Sequence, residues 1–332
     1  MTTRNLLTDV AGVRVGNAHD ERLASGVTVV VFDEPAVGSI DVRGGGPGTR
    51  DSELLEPVMT VDRIDAIAIS GGSGFGLDAA SGLQAYLREQ GRGFPVGTAR
   101  VPIVPCAILF DLINGGDKDW GRFPPYRELG YAAARQAAAQ FALGSVGAGF
   151  GATSVNLKGG LGSASAKVGD FTVAALAAVN PVGSVTVGDG PHFWAAPFEQ
   201  ASEFGGRGPA PEVEAAALTP RTKGVPGAST TLVVVATDAV MNKAQAKRLA
   251  IMAQDGLGRA IYPVHTPLDG DIVFTAATGH RPLDDAWIDL MRIGNAAAGT
   301  VARAVARAVY EASALPFEGA LPAYRDKFRD ES

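Results

Sequence analysis

One cysteine and four histidines stand among 332 residues. A single thiol excludes an intramolecular disulfide. Cys106 lies inside the apolar run 101–110, where a buried, inert thiol fits better than a nucleophile. His19, His192, His265 and His280 form no HExxH or similar pair, so no metal site and no metal cofactor is expected. Charged residues make up only 19%, the net charge is −6, and Lys and Arg nowhere form a run. Such a chain has nothing to track phosphates with, which argues against a nucleic-acid partner. No stretch approaches the roughly 20 apolar residues of a membrane span. Residues 1–8 also lack an apolar core of signal-peptide length. The expectation is a soluble, cytoplasmic protein without a membrane partner.

Small and apolar residues are plentiful instead: 46% of the chain is apolar and 43 residues are glycine. This is a globular composition with ample material for a core. Short runs rich in Val, Ile, Ala or Phe, bounded by Gly, Pro or Asp, predict strands over 26–32, 66–70, 101–110, 172–179, 231–237 and 271–278. Helical spacing predicts helices over 77–89, 128–141, 243–261 and 284–313, the last with a break near Gly294 or Gly299. Many strands are apolar at both alternating positions. That implies an α/β protein whose sheets are buried on both faces, with helices outside.

Residues 205–228 stand apart. Four prolines, several glycines and few large apolar groups mark an exposed loop, with a short helix at 212–218. The loop ends abruptly at Ser229-Thr230-Thr231, where a buried strand begins. A domain boundary and a processed loop both fit this pattern.

A Ser or Thr opening a buried strand after a loop has a specific chemical use. If the preceding peptide bond breaks, hydroxyl and α-amine belong to one residue. That amine, with a pKa of about 7.7–8.0, can act as general base without any histidine. A plain loop end also accounts for Ser-Thr-Thr, since Thr favours strands in its own right. Asp269-Gly270-Asp271 sets two carboxylates at the mouth of another strand. Period-2 geometry would point both to one side, to orient an ammonium or hydroxyl; an ordinary turn or a fragment of a calcium loop are the alternatives. Asn180, ahead of Pro181, offers an amide that could stabilise an oxyanion, or simply starts a turn. The glycine-rich stretches 43–50 and 70–77 look like phosphate loops but match neither GxGxxG nor a Walker motif, so close backbone packing explains them better.

Seven segments together resemble one family: RGGGPGTRDSELL (43–55), SGGSGFGLDAASG (70–82), VPIVPCAILFDL (101–112), GAGFGATSVNLKGGLGSASA (147–166), AVNPVG (178–183), STTLVVVATDA (229–239) and HTPLDGDIVFTAATG (265–279). They look like the β-aminopeptidase/L-aminopeptidase–D-esterase family of N-terminal-nucleophile hydrolases, and most like its nylon-oligomer (6-aminohexanoate-oligomer) endo-hydrolases. The resemblance spans about residues 5–315. It implies a single-domain, four-layer αββα sandwich, made as a precursor and cut between Ser229 and Thr230. The fragments would be 1–229 and 230–332, associated as a tetramer of cut protomers. It further implies Thr230 as nucleophile, Asp269 and Asp271 as the paired acids, and Asn180 near the scissile carbonyl. The family's catalytic lysine falls on Asn156 by direct alignment. Lys158, two residues on and on the same side of a regular strand, is expected to take its role, with Asn156 lining the pocket. A substrate-pocket tyrosine falls on Phe110, which lacks the hydroxyl. No cofactor is implied. The expected activity is hydrolysis of nylon oligomers or short peptides and amides. An acyltransferase of similar fold is the neighbouring alternative, and a small-ligand binder using loop 70–77 the more distant one.

Overall fold

In the computed structural model, residues 3–223 and 229–329 are described; residues 224–228 of the proline-rich loop lie outside them. Eleven strands run in chain order: β1 (Val13–Asp20), β2 (Ser25–Val42), β3 (Thr49–Arg50), β4 (Arg63–Ser70), β5 (Phe94–Val96), β6 (Ala99–Val101), β7 (Cys106–Ile108), β8 (Gly160–Val168), β9 (Phe171–Asn180), β10 (Thr230–Ala239) and β11 (Ile272–Arg281). The α-helices are α1 (Ala79–Glu89), α2 (Tyr126–Arg135), α3 (Lys243–Ala260), α4 (Ala286–Tyr310) and the short α5 (Tyr324–Lys327). Nine strands pair in the order β3-β7-β4-β2-β11-β10-β9-β8, with β1 also on β2, while β5 and β6 form a separate hairpin.

This sheet is folded into two layers by β2. Its first half pairs with β1 and β4 and its second half with β11, with a register break between Val31 and Ala36. Asp33, Glu34 and Pro35 stand at the bend, where Pro35 offers no N–H to the ladder. Strand alternation then divides the apolar residues among three cores. Val30, Phe32, Ile67 and Ile69 meet Leu176, Leu232, Val234, Ile272 and Phe274 between the sheet layers. Val27, Val29, Val31, Ala66 and Ala68 pack outward with Leu83 and Leu87 of α1 and Ala133 of α2. Val173, Ala175, Val233, Val235 and Val273 pack outward with Leu249 and Ala253 of α3 and Ile293, Val301 and Val305 of α4. The result is the expected four-layer αββα sandwich.

Several element boundaries differ from expectation for local reasons. The run 101–110 is split between the end of β6 at Val101 and β7 at Cys106–Ile108, because Pro102 and Pro105 interrupt the donors. The helix expected to 141 ends at Arg135, since Ala138 leaves it to pair with Val15. Residues 212–218 form only a 3-10 turn over Ala215–Leu218. The last long helix, α4, runs unbroken through Gly294 and Gly299. Gly294 is there for packing: a Cβ would stand 2.4 Å from the Met252 sulfur on α3. Among the described residues no helix is long and apolar enough to cross a membrane.

Candidate active site

Thr230 is the first residue of β10 and pairs in antiparallel register with Asn180, the last residue of β9. By the alternation that sends Leu232 and Val234 inward, Thr230 opens onto the layer between the two sheets. On its other edge β10 runs parallel to β11. Helix α3 makes the crossover and is capped by a reciprocal Asn242–Gln245 box. The turn 269–271 leading into β11 is thereby brought beside Ser229 and Thr230.

Thr230 is buried, and its hydroxyl donates to the Ser229 carbonyl at 2.5 Å. The same carbonyl accepts the Gly270 N–H at 3.0 Å. Gly270 lies so close that a Cβ there would sit 2.6 Å from Thr230 Oγ1 and 2.7 Å from the Gly46 carbonyl. Glycine is therefore required between the two aspartates.

Asp269 and Asp271 precede β11, which starts at Ile272, so they belong to a turn and not to a regular strand. Both are buried. Asp271 Oδ1 accepts the Thr231 N–H at 2.9 Å, anchoring the start of β10, and its Oδ2 accepts the His265 N–H at 3.0 Å. His265 Nδ1 also stands 3.0 Å from that Oδ2. Asp269 accepts the Val182 N–H at 2.9 Å and the Thr266 hydroxyl at 2.7 Å. Burial, and next the charge of Asp271, raise the pKa of Asp269. Loop 43–48 closes over this turn: Gly46 N–H donates to the Asp269 carbonyl at 2.7 Å and Arg43 N–H to the Asp271 carbonyl at 3.0 Å. The first glycine-rich stretch is thus a backbone packing device.

The second has the same explanation. Gly71 N–H donates to the Gly26 carbonyl, Ser73 N–H to the Leu109 carbonyl, and Gly72 N–H to Asp111 Oδ1 at 2.7 Å. The amides that would cradle a phosphate are used internally, and one of them already holds a carboxylate.

Asn180 Oδ1 accepts the Thr153 N–H at 3.0 Å and the Lys223 ammonium at 2.9 Å, while its Nδ2 donates to the Phe110 carbonyl at 3.0 Å. Phe110, Asp111, Thr153, Lys223, Glu318 and Leu321 are among the residues around a cleft of about 320 Å³. Phe110 lines this cleft. Asn156 does not: its amide donates to the Gly188 carbonyl and to Asp189, both at 3.1 Å. A larger cavity, about 680 Å³, lies at the β2 bend beside Asp33, Arg63 and Phe94, and includes none of these residues.

Lys158 is not on a strand with Asn156. Thr153 and Lys158 bridge a tight turn, and β8 starts only at Gly160. The fully buried Lys158 ammonium donates to the carbonyls of Gly149, Ala152 and Gly159 at 2.8–3.0 Å. Burial lowers its pKa to about 7, opposed by the charge of Asp111. Three carbonyl acceptors suit the ammonium, which alone has three donors. In the unfolded chain the same group titrates near about 10.4. Between those values the unfolded chain holds the extra proton, so this lysine makes stability rise with pH from about 7 towards 10. Urea unfolding at pH 7, 8 and 9 should show that rise in the native protein and a smaller one in Lys158→Met. Parallel curves for the two proteins would contradict it.

Three participants carried no signal used above. His265 adopts φ 55° beside Asp271, a left-handed conformation uncommon for a non-glycine residue. Lys223 sits six residues ahead of Ser229 in a stretch that reads as mere loop. Asp111 is buried, accepts the Ser25 hydroxyl at 2.6 Å, and has its pKa raised chiefly by burial. A charge ending the apolar run 101–110 was the available sign of it.

The two-layered sheet between helices is the fold of the N-terminal-nucleophile hydrolases. A β-aminopeptidase of Burkholderia sp. superposes with TM-score 0.70 at 22% identity, covering 98% of this chain and 92% of its own. The L-aminopeptidase D-Ala-esterase/amidase of Ochrobactrum anthropi, described as a variant of that fold, gives 0.70 at 20% identity, covering 97% and 91%. The chain belongs to peptidase family S58, which it matches over residues 5–320. An uncharacterised aminopeptidase of Mycobacterium tuberculosis is 41% identical over 98% of both chains. A 6-aminohexanoate-oligomer endohydrolase of Paenarthrobacter ureafaciens is 28% identical over 81% of this chain and 74% of its own. The protein is a hydrolase acting on amide or peptide bonds.

Proposed function

We propose that this hydrolase cuts itself between Ser229 and Thr230 and then uses Thr230 as an N-terminal nucleophile on short peptides, amides or 6-aminohexanoate oligomers. The observation that carries this is the Ser229 carbonyl, which receives both the Thr230 hydroxyl and the Gly270 N–H. In the cut, Thr230 Oγ attacks the Ser229 carbonyl carbon, the C–N bond breaks, and the nitrogen takes the hydroxyl proton. The resulting ester is hydrolysed by water, leaving a Ser229 carboxylate and the Thr230 amine. Gly270 N–H stabilises the oxyanion; one such donor is typically worth about 2.7–4 kcal/mol.

With substrate, the Thr230 amine accepts the hydroxyl proton as Oγ attacks, then delivers it to the leaving amine. Water resolves the acyl-threonine. Asp271 holds the start of β10 through Thr231, and Asp269, with its raised pKa, faces the same end of the sheet. Asn180, cross-strand from Thr230, supplies a side-chain amide towards the substrate oxyanion. Lys158 is a positioning residue: it braces the Ala152 carbonyl next to Thr153, whose N–H fixes Asn180. The 28% identity to a 6-aminohexanoate-oligomer endohydrolase supports such oligomers as substrates, and the 41% identity to an aminopeptidase supports short peptides. The cut protomers associate as a homotetramer in this reading. Timed incubation followed by mass spectrometry should give a fragment starting at Thr230, with hydrolysis of a substrate panel rising in step. Full hydrolytic activity from a chain that stays whole would refute the proposal.

A further inference from the structure

His265 and Thr266 are neighbours in the chain, and each grips one of the two aspartates with both its backbone and its side chain. His265 brings its N–H and its ring Nδ1 to the same oxygen, Asp271 Oδ2, each at 3.0 Å. Thr266 brings its N–H, at 3.3 Å, and its hydroxyl, at 2.7 Å, to Asp269 Oδ2. The other oxygen of each acid meets a strand end. Asp271 Oδ1 accepts the N–H of Thr231, next to Thr230 on β10. Asp269 Oδ1 accepts the N–H of Val182, two residues past Asn180 at the end of β9. Two chains of contacts result, His265 to Asp271 to β10, and Thr266 to Asp269 to the end of β9. They finish beside Thr230 and Asn180, which are ladder partners. The bonds within 266–269 alone are ordinary turn chemistry. Those of His265 span six residues and go with φ 55°. A non-glycine residue keeps such a conformation where its surroundings over-determine it. A carboxylate oxygen has two lone pairs, so two donors fill Oδ2 of Asp271 and leave Oδ1 for β10. Neither His265 nor Thr266 lines the cleft beside Phe110.

We propose that His265 and Thr266 form a clamp that positions the reacting pair: by fixing one oxygen of each aspartate, it sets the other against the chain beside Thr230 and Asn180. Both are positioning residues, since they reach the site only through Asp271 and Asp269. The clamp rests on the reading of Thr230 above. Its expected effect is on rate, because a misplacement of about 1 Å at the reacting atoms can cost about 10²-fold.

The readout is the rate at which the fragment starting at Thr230 appears by mass spectrometry in freshly made chain, beside a thermal melt. His265→Gly suits φ 55° and keeps the backbone N–H, so it removes the ring donor alone. It should slow the cut at least about tenfold, with the melting temperature little changed. His265→Asn also tolerates that φ, and its side-chain N–H leaves Cγ as the ring Nδ1 does, so it should restore most of the native rate. A role in stability alone would move the melt and leave the rate. Thr266→Val should slow the cut likewise, and Thr266→Ser should restore it, which keeps the test open if a His265 variant fails to fold. A native rate in folded His265→Gly or folded Thr266→Val would overturn the clamp and leave Thr230 as nucleophile. An Asn variant as slow as the Gly variant would do the same. A Thr230→Ala chain that is still cut would overturn the reading of Thr230, and the clamp with it.

Discussion

Thr230→Ala should migrate as a single chain under denaturing conditions and should hydrolyse no amide, however long it is incubated. The expected loss is large because one side chain serves two reactions. Removing the nucleophile of a hydrolase lowers kcat by on the order of 10⁶-fold; here it also stops the cut that creates the general base. The substitution itself is mild for the fold. Thr230 heads β10 with its ladder partner Asn180 in place, and among the described residues its hydroxyl bonds only the neighbouring Ser229 carbonyl. A normal melting temperature should therefore accompany the lost activity, which separates chemistry from misfolding. Thr230→Ser keeps the hydroxyl and should still be cut. An Ala variant that yields a fragment starting at residue 230 would place the chemistry elsewhere.

The elements that share one sheet face with a core are those legible in the sequence. β10, α3 and β11 lie within a few residues of expectation because Val, Ile and Leu recur at their own periods. β8 was not legible: Gly160–Val168 reads GLGSASAKV and holds just one β-branched residue, Val168, at its end. The reason is the helix above it. A Cβ on Gly162 would sit 1.9 Å from the Ala304 carbonyl of α4, so close layer packing removed the very side chains that signal a strand. β2 was half legible, because Asp33-Glu34-Pro35 looks like a strand end yet only bends the chain between layers. At the candidate site, the structure brings Thr230, Asp269, Asp271 and Asn180 to one end of the sheet, since each borders a recognisable apolar run. Lys158 and Asn156 were assigned to one strand face, but the chain turns tightly between Thr153 and Lys158 and sends them apart. His265 and Lys223 act through contacts with residues distant in sequence or across a loop, and no local spacing encodes that.

Gly270→Ala should be the variant that folds but is cut slowly. The added methyl would meet Thr230 Oγ1 at 2.6 Å and the Gly46 carbonyl at 2.7 Å, both nearer than real Cβ contacts allow. Either the threonine rotates away or the 269–271 turn retreats from loop 43–48. Overpacking of this kind typically costs about 1–3 kcal/mol of stability, which a chain with several separate cores can bear. The effect on the cut should be larger. Retreat of the turn withdraws the Gly270 N–H from the Ser229 carbonyl, and loss of one oxyanion donor is worth about 10²–10³ in rate. Rotation of the threonine instead takes the attacking oxygen off its carbonyl, with the same consequence. The measurement is the rate at which the fragment starting at Thr230 appears by mass spectrometry, beside a thermal melt. Cutting at the native rate in a folded Gly270→Ala protein would show that the Ser229 carbonyl is activated by something other than the glycine amide.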